Sequence, residues 1–126
     1  MNILLIDDEP LVLSALRRLL QGRQHDVTTF ATASEALVCL SGATVPVDVV
    51  VSDFSLGAPE NGLDFLDAVR DHSPEVLRVL MSGELHVEGL RAALSDGVID
   101  AFVGKSDINE LSRVLEGLTR PSRRSA

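Results

Sequence analysis

Short, nearly continuous apolar runs alternate along the chain with segments whose apolar residues recur every three or four positions. The runs are Ile3-Leu4-Leu5-Ile6, the weaker Val27-Thr28-Thr29-Phe30, Val47-Asp48-Val49-Val50-Val51, Val76-Leu77-Arg78-Val79-Leu80-Met81 and Ile99-Asp100-Ala101-Phe102-Val103. Runs with so little polar alternation, the first and third above all, predict strands covered on both faces, as in a parallel sheet. The first intervening stripe is Val12, Ala15, Leu16, Leu19 and Leu20, stopped by Gly22. Thr32 and Glu35 have the spacing of a capping box for a second helix. Leu63, Leu66 and Val69-Arg70 suit a third, which must end before Pro74. Leu90, Ala93 and Leu94 suit a fourth, ended by Gly97. Ile108, Leu111, Val114, Leu115 and Leu118 form the stripe of a fifth, with Ser106 as its expected N-cap.

Strand starts therefore fall near positions 2, 26, 47, 76 and 99, one βα unit about every 20 to 30 residues. Five such units predict an α/β fold, a (βα)5 doubly wound five-stranded parallel sheet. Right-handed crossovers leave few ways to cover both faces, and the flavodoxin-like order 2-1-3-4-5 is the expected one.

The length of 126 residues and the 45% hydrophobic, 24% charged composition fit one folded domain. That domain is expected over residues 1–119, with 120–126 as a tail or the start of a linker. No apolar run approaches the ~18 residues of a membrane span, and MNILLIDDEP lacks the basic start of a signal peptide. With Cys39 as its single cysteine, the chain is expected to be cytoplasmic, with no membrane partner. Nineteen acids against eleven bases give a net charge of -8. That balance argues against direct nucleic-acid binding, which needs a basic face. Lys105 is the only lysine among those bases. A lone lysine can reflect codon composition or a chemical need, and its position decides between them.

In an open parallel sheet, ligands bind beyond the carboxyl ends of the strands. Asp7, Asp8 and Glu9 follow the first strand, Asp53 the third, Ser82 the fourth and Lys105 the fifth. In the predicted order the first and third strands are neighbours, ~4.8 Å apart, so Asp7, Asp8 and Asp53 must share a cleft. Asp8 or Glu9, ahead of Pro10, could instead cap the first helix. For Asp53 that alternative is poor, because its helix starts several residues later. Like charges at ~5 Å repel by about 3 kcal/mol per pair at an effective dielectric near 20. A hard cation answers that repulsion, and Mg²⁺ prefers one or two carboxylates together with phosphate oxygens. A carboxylate beside a metal can act as a nucleophile towards phosphorus. Lys105 and Ser82 would then supply a cation and a hydroxyl for the phosphoryl oxygens.

With these residues at these strand ends, the chain resembles the receiver domain of two-component response regulators, the CheY-like family, over roughly residues 1 to 119. The resemblance rests on Asp7-Asp8, Asp53, Ser82-Gly83 and Lys105. It implies a phosphorylation-controlled signalling switch in which a partner histidine kinase or phosphotransfer protein donates a phosphoryl group to Asp53. It further implies that Asp8 and Asp53 ligate Mg²⁺ (or Mn²⁺) directly, with Asp7 acting through water and the Ser55 backbone carbonyl completing the site. Ser82 is implied to move onto the phosphoryl group, and Lys105 to pair with another of its oxygens. Phe102, three residues before that lysine, occupies the family's aromatic switch position, although a plain core aromatic would look the same. The news would leave through the face formed by the fourth helix, fifth strand and fifth helix, to an output domain or downstream protein, with a homodimer as one arrangement. No enzymatic role is implied beyond self-phosphorylation and autodephosphorylation at Asp53. Ser55 and Glu84 hold positions at which this family tunes phosphoryl lifetime.

Two departures stand out. Ser106 replaces the proline that usually follows the lysine, and the loop from Leu56 to Gly62 is one residue longer than usual. Both leave room for a phosphorylation-independent receiver-like interaction module. A magnesium-dependent aspartate phosphatase is the more distant alternative, because its D-x-D arrangement is absent and no cap domain fits the length. His25, His72 and His86 show no ligand spacing, and Cys39 reads as a small core residue. Gly104-Lys105-Ser106 lacks the first glycine of a P-loop, since position 99 is Ile99.

Overall fold

The computed structural model describes residues 1–42, 46–57, 61–83, 89–106 and 108–118. Five parallel strands, β1 (Asn2–Ile6), β2 (Asp26–Phe30), β3 (Val49–Asp53), β4 (Leu77–Ser82) and β5 (Ala101–Gly104), stand in the order β2-β1-β3-β4-β5. Five helices connect and cover them: α1 (Pro10–Gly22), α2 (Ala33–Gly42), α3 (Gly62–His72), α4 (Leu90–Ser95) and α5 (Ile108–Leu118). This is the predicted flavodoxin-like arrangement.

Both faces of the sheet are buried, which is why its strands read as unbroken apolar runs. Leu4, Ile6, Val50 and Leu80 pack on one side with Ala36 of α2, Leu66 and Val69 of α3 and Ala93 of α4. Ile3, Leu5, Val51 and Val79 pack on the other with Leu16 and Leu20 of α1 and Leu111 and Leu115 of α5. Cys39 is half-buried against the first of these clusters, as expected.

Several local expectations change. Ala15 is exposed, and the half-buried Leu13 takes its place on the stripe of α1. Leu94 is also exposed, because α4 spans only six residues and a single turn meets the sheet through Ala93. The capping box is half made. The Glu35 N–H donates to Thr32 Oγ1 at 3.3 Å, but the Glu35 carboxylate takes the Thr32 hydroxyl at 2.9 Å instead of returning to the Thr32 backbone. Helix α5 is described from Ile108, so Ser106 lies in the turn ahead of it, with Asp107 outside the described residues. Residues 119–126, including the expected tail, and Glu84 and His86 also lie outside them.

At the end of the sheet away from the strand carboxyl termini, Arg78 of β4 is buried. Its Nε donates to Val98 O at 2.9 Å and its Nη2 to Gly97 O at 3.0 Å, while Nη1 donates to Val76 O at 2.7 Å and Pro74 O at 3.2 Å. Arg70 of α3 adds Nη1 to Asp96 O at 2.8 Å. The carbonyls that leave the C-terminal end of α4 therefore find cationic donors, the partner such an end favours.

Candidate functional site

The register of the sheet builds the site. Ile6 of β1 pairs with Ser52 of β3, so the next residues, Asp7 and Asp53, emerge side by side. Ser82 of β4 pairs with Gly104 of β5, and the Lys105 N–H continues that ladder by donating to Ser82 O at 2.9 Å. The missing proline after Lys105 therefore does not carry the lysine away from the site. Asp53, Phe54, Ser55, Ser82, Gly83, Lys105 and Glu9 line one cleft of about 250 Å³.

Asp53 sits where chain and helix approach closely. The Gly62 N–H donates to Phe54 O at 2.7 Å, and Ser55 and Asn61 form an isolated antiparallel bridge. Asn61 then caps α3, accepting the Asp64 N–H at 2.9 Å on its side chain. A Cβ at Gly62 would overlap the Asp53 carbonyl oxygen. Leu56 is buried and Gly57 takes φ 87, while residues 58–60 of the longer loop are outside the described residues. Gly62→Ala is expected to lower stability by about 1–3 kcal/mol, since backbone must shift to admit the methyl group. Gly117→Ala, with open space around the added carbon, is expected to be neutral or to gain up to about 1 kcal/mol. Urea denaturation of the two variants separates local crowding at Asp53 from a general effect of losing glycine.

Charge concentrates around one ammonium. Lys105 Nζ lies 3.0 Å from Asp7 Oδ2, 3.1 Å from Asp53 Oδ2 and 3.2 Å from Glu9 Oε1. Asp7 and Asp53 are only 1% and 4% exposed. Burial and the neighbouring Asp7 push the Asp53 carboxyl above its ordinary value, although Lys105 and the Ser55 N–H pull it down. Burial alone would lower the Lys105 pKa, but Asp7 and Asp53 outweigh it and leave the ammonium above its usual value. The lysine therefore carries its charge throughout the physiological range.

Asp7, Asp8, Glu9 and Asp53 can each offer an oxygen such that all four lie within 4.8 Å of one another. One ammonium cannot neutralise four carboxylates. Asp7 Oδ2 is also buried and, although ion-paired with Lys105, receives no properly directed hydrogen bond among the described residues. Its other oxygen accepts the Glu9 N–H at 2.9 Å. An all-oxygen set with surplus negative charge and a free buried lone pair fits a hard divalent cation. Asp8, exposed at the rim, completes the set.

The structure thus brings together Asp7, Asp8, Asp53, Ser55, Ser82 and Lys105. Phe102 is half-buried on β5, paired with Leu80 and packed against the core. That surrounding suits a core aromatic and an aromatic switch equally. Glu9 is the site residue that the sequence reading left among helix caps. Three consecutive acids before a proline were the available signal, since glutamate is a poor N-cap. His25 and His72 stand on other segments, beside Met1 and Ser73.

The sequence matches the family described as "Response regulator receiver domain" over residues 3–116. It is 32% identical over 104 residues to the hydrogenase transcriptional regulatory protein HoxA of Cupriavidus necator, covering 82% of this chain and 21% of that protein. It is 30% identical to the nitrogen assimilation regulatory protein NtrX of Azorhizobium caulinodans, covering 82% of this chain and 22% of that one. The chain therefore spans about a fifth of the length of these curated relatives. Among solved structures, the signal receiver domain of an HD domain-containing protein from Pseudomonas fluorescens superposes with a TM-score of 0.85 at 25% identity, covering 99% of this chain and 98% of that one. The response regulator TrrA of Thermotoga maritima, solved with Mg²⁺ and BeF, gives 0.78 at 25% identity over 93% and 97% of the two chains. Sheet order, strand-end chemistry and these similarities agree: the chain belongs to the receiver domain family of two-component response regulators.

Proposed function

We propose that Asp53 is the phosphoacceptor of a signalling switch driven by a histidine kinase or phosphotransfer protein. The observation that carries this reading is the Lys105 ammonium held 3.1 Å from Asp53 Oδ2 in the floor of an open cleft. An Asp53 carboxylate oxygen attacks the phosphorus of a phosphohistidine, the P–N bond breaks, and the imidazole leaves with the electron pair. Lys105 and the Ser82 hydroxyl bind phosphoryl oxygens as charge shifts onto them. Asp7, Asp8, Asp53 and the Ser55 backbone carbonyl would hold Mg²⁺ or Mn²⁺. Such an ion supplies the positive charge that lets a carboxylate and a phosphate dianion approach. Water attack on phosphorus later restores Asp53 and releases phosphate.

Receiver domains act between histidine kinases and output domains, and the relatives' greater length fits an output region or partner beyond this domain. The α4–β5–α5 face is the proposed exit for the signal, with Phe102 and Ser82 as its switch residues, and a homodimer through that face is one form of output. None of the described helices is long and apolar enough to cross a membrane, and a cytoplasmic site of action is part of the same proposal.

Incubation with Mg²⁺ and acetyl phosphate, followed by intact-mass measurement, tests the reading. One phosphoryl adduct is expected, absent when EDTA replaces Mg²⁺. If no adduct forms and Mg²⁺ with beryllofluoride leaves the melting temperature unchanged, a phosphorylation-independent interaction module becomes the better account. Turnover of an exogenous phosphate ester would instead favour a phosphatase.

A further inference from the structure

Glu9 stands at the N-cap of α1, with Pro10 at the first helical position, yet its side chain makes no cap hydrogen bond. It reaches across the cleft to Lys105 instead, with Oε1 3.2 Å from Nζ. An ammonium has three N–H donors and no acceptor. Among the described residues Lys105 meets three carboxylate oxygens, on Asp7, Asp53 and Glu9, at 3.0, 3.1 and 3.2 Å. The Glu9 contact is a hydrogen bond, whereas Asp7 Oδ2 is held as an ion pair without a directed hydrogen bond. A phosphoryl oxygen that pairs with Lys105 therefore competes with these carboxylates for its ammonium.

The three are not equally displaceable. Asp7 and Asp53 are buried at adjacent strand ends, and withdrawing either from the lysine would strand a desolvated charge. The Glu9 side chain is 62% exposed. It can rotate into water, and an exposed ion pair of this kind contributes little. We infer that Glu9 is a placeholder for the phosphoryl group: it occupies a donor of Lys105 in the unphosphorylated protein and surrenders it on phosphorylation. Glu9 is thus a positioning residue that sets how tightly the site holds its phosphoryl group. The inference rests on Asp53 being the phosphoacceptor. Glu9 also belongs to the carboxylate group around Asp7 and Asp53, and service as a metal ligand is the outcome that competes with it.

Beryllofluoride, a mimic of the phosphoryl group, is the probe, titrated at saturating Mg²⁺ into the full chain with Glu9, Glu9→Gln or Glu9→Asp. Because Lys105 is the only lysine, protein grown with labelled lysine gives one side-chain NMR signal from exactly the group in question. Glu9→Gln is expected to tighten beryllofluoride about two- to fivefold, the scale of an exposed charge pair. Glu9→Asp, which keeps the charge on a shorter arm, falls between. The Lys105 signals of wild type and Glu9→Gln should differ before beryllofluoride and coincide after it, because Glu9 has left in both. Unchanged beryllofluoride affinity, a Mg²⁺ affinity roughly tenfold weaker, or bound signals that stay apart would each overturn the placeholder role. If wild type itself binds no beryllofluoride, the phosphoacceptor reading fails with it. If wild type binds and Glu9→Gln matches it, only the role of Glu9 fails.

Discussion

Asp53→Asn is expected to lose the phosphoryl adduct completely while becoming more stable than wild type in metal-free buffer at neutral pH. The first effect follows because an amide oxygen of the same shape is no nucleophile at neutral pH. The second follows from the raised pKa of the Asp53 carboxyl, which reports that its surroundings disfavour the ionised form, burial first and Asp7 second. The folded protein therefore holds this proton more tightly than the unfolded chain does. Stability is greatest with the proton bound and falls as pH climbs from the ordinary aspartate value, ~3.9, through the higher value of the folded state. Asparagine carries no such penalty. Its advantage should shrink as the solution is acidified towards pH ~4, where both side chains are neutral. Added Mg²⁺ should reverse the order by stabilising the wild-type carboxylate cluster. Thermal unfolding across pH, with EDTA and with Mg²⁺, measures all of this. An Asn variant less stable than wild type at neutral pH without metal would contradict the electrostatic account.

Arg78→Met is expected to lower folding stability by about 3 kcal/mol, the upper range for hydrogen bonds to a charged group, because four carbonyls lose a charged donor. Methionine approximates the length and apolar stem of arginine but donates no hydrogen bond. The carbonyls of Pro74, Val76, Gly97 and Val98 would each lose the donor they have from this side chain. The Asp100 carboxylate would keep the Arg78 backbone N–H at 2.8 Å but lose the nearby guanidinium. Arg78→Lys should recover only part of the loss, because one ammonium cannot reproduce a planar fork with separated donors. Urea unfolding with an unchanged m-value is the check. A loss below about 1 kcal/mol, the ordinary value of a single hydrogen bond, would show that water replaces the guanidinium and that the clamp is unimportant. The clamp anchors the end of α4 remote from the acid cleft to β4 and the turn before it.

How much of this was legible beforehand depends on which residues carried the information. Ile3 to Ile6 and Val49 to Val51 revealed a buried parallel sheet because covering both faces removes polar alternation. Asp53 and Lys105 were legible because the carboxyl ends of strands are where such a sheet gathers chemistry, and no capping role explains either. Glu9 was not, because its N-cap place before Pro10 offered an ordinary account, and only side-chain direction shows that it faces Lys105. Arg78 read as one polar residue in an apolar run. Its partners are backbone carbonyls of residues 74, 76, 97 and 98, and no side-chain pattern announces a carbonyl. Ala15 and Leu94 were misplaced for a simpler reason. A helical stripe fixes a face only to within one residue, and the turn that touches the sheet decides the rest.

The central claim is that Asp53, among four clustered acids, carries the phosphoryl group, and chemical trapping tests it most directly. Borohydride reduces an acyl phosphate to an alcohol, so the phosphorylated aspartate would be recovered as homoserine. After acetyl phosphate and Mg²⁺, reduction and peptide mapping should find homoserine at position 53 alone. Homoserine at Asp7 or Asp8, the corresponding reduced residue at Glu9, or no reduced residue in protein that carries the adduct would contradict the account.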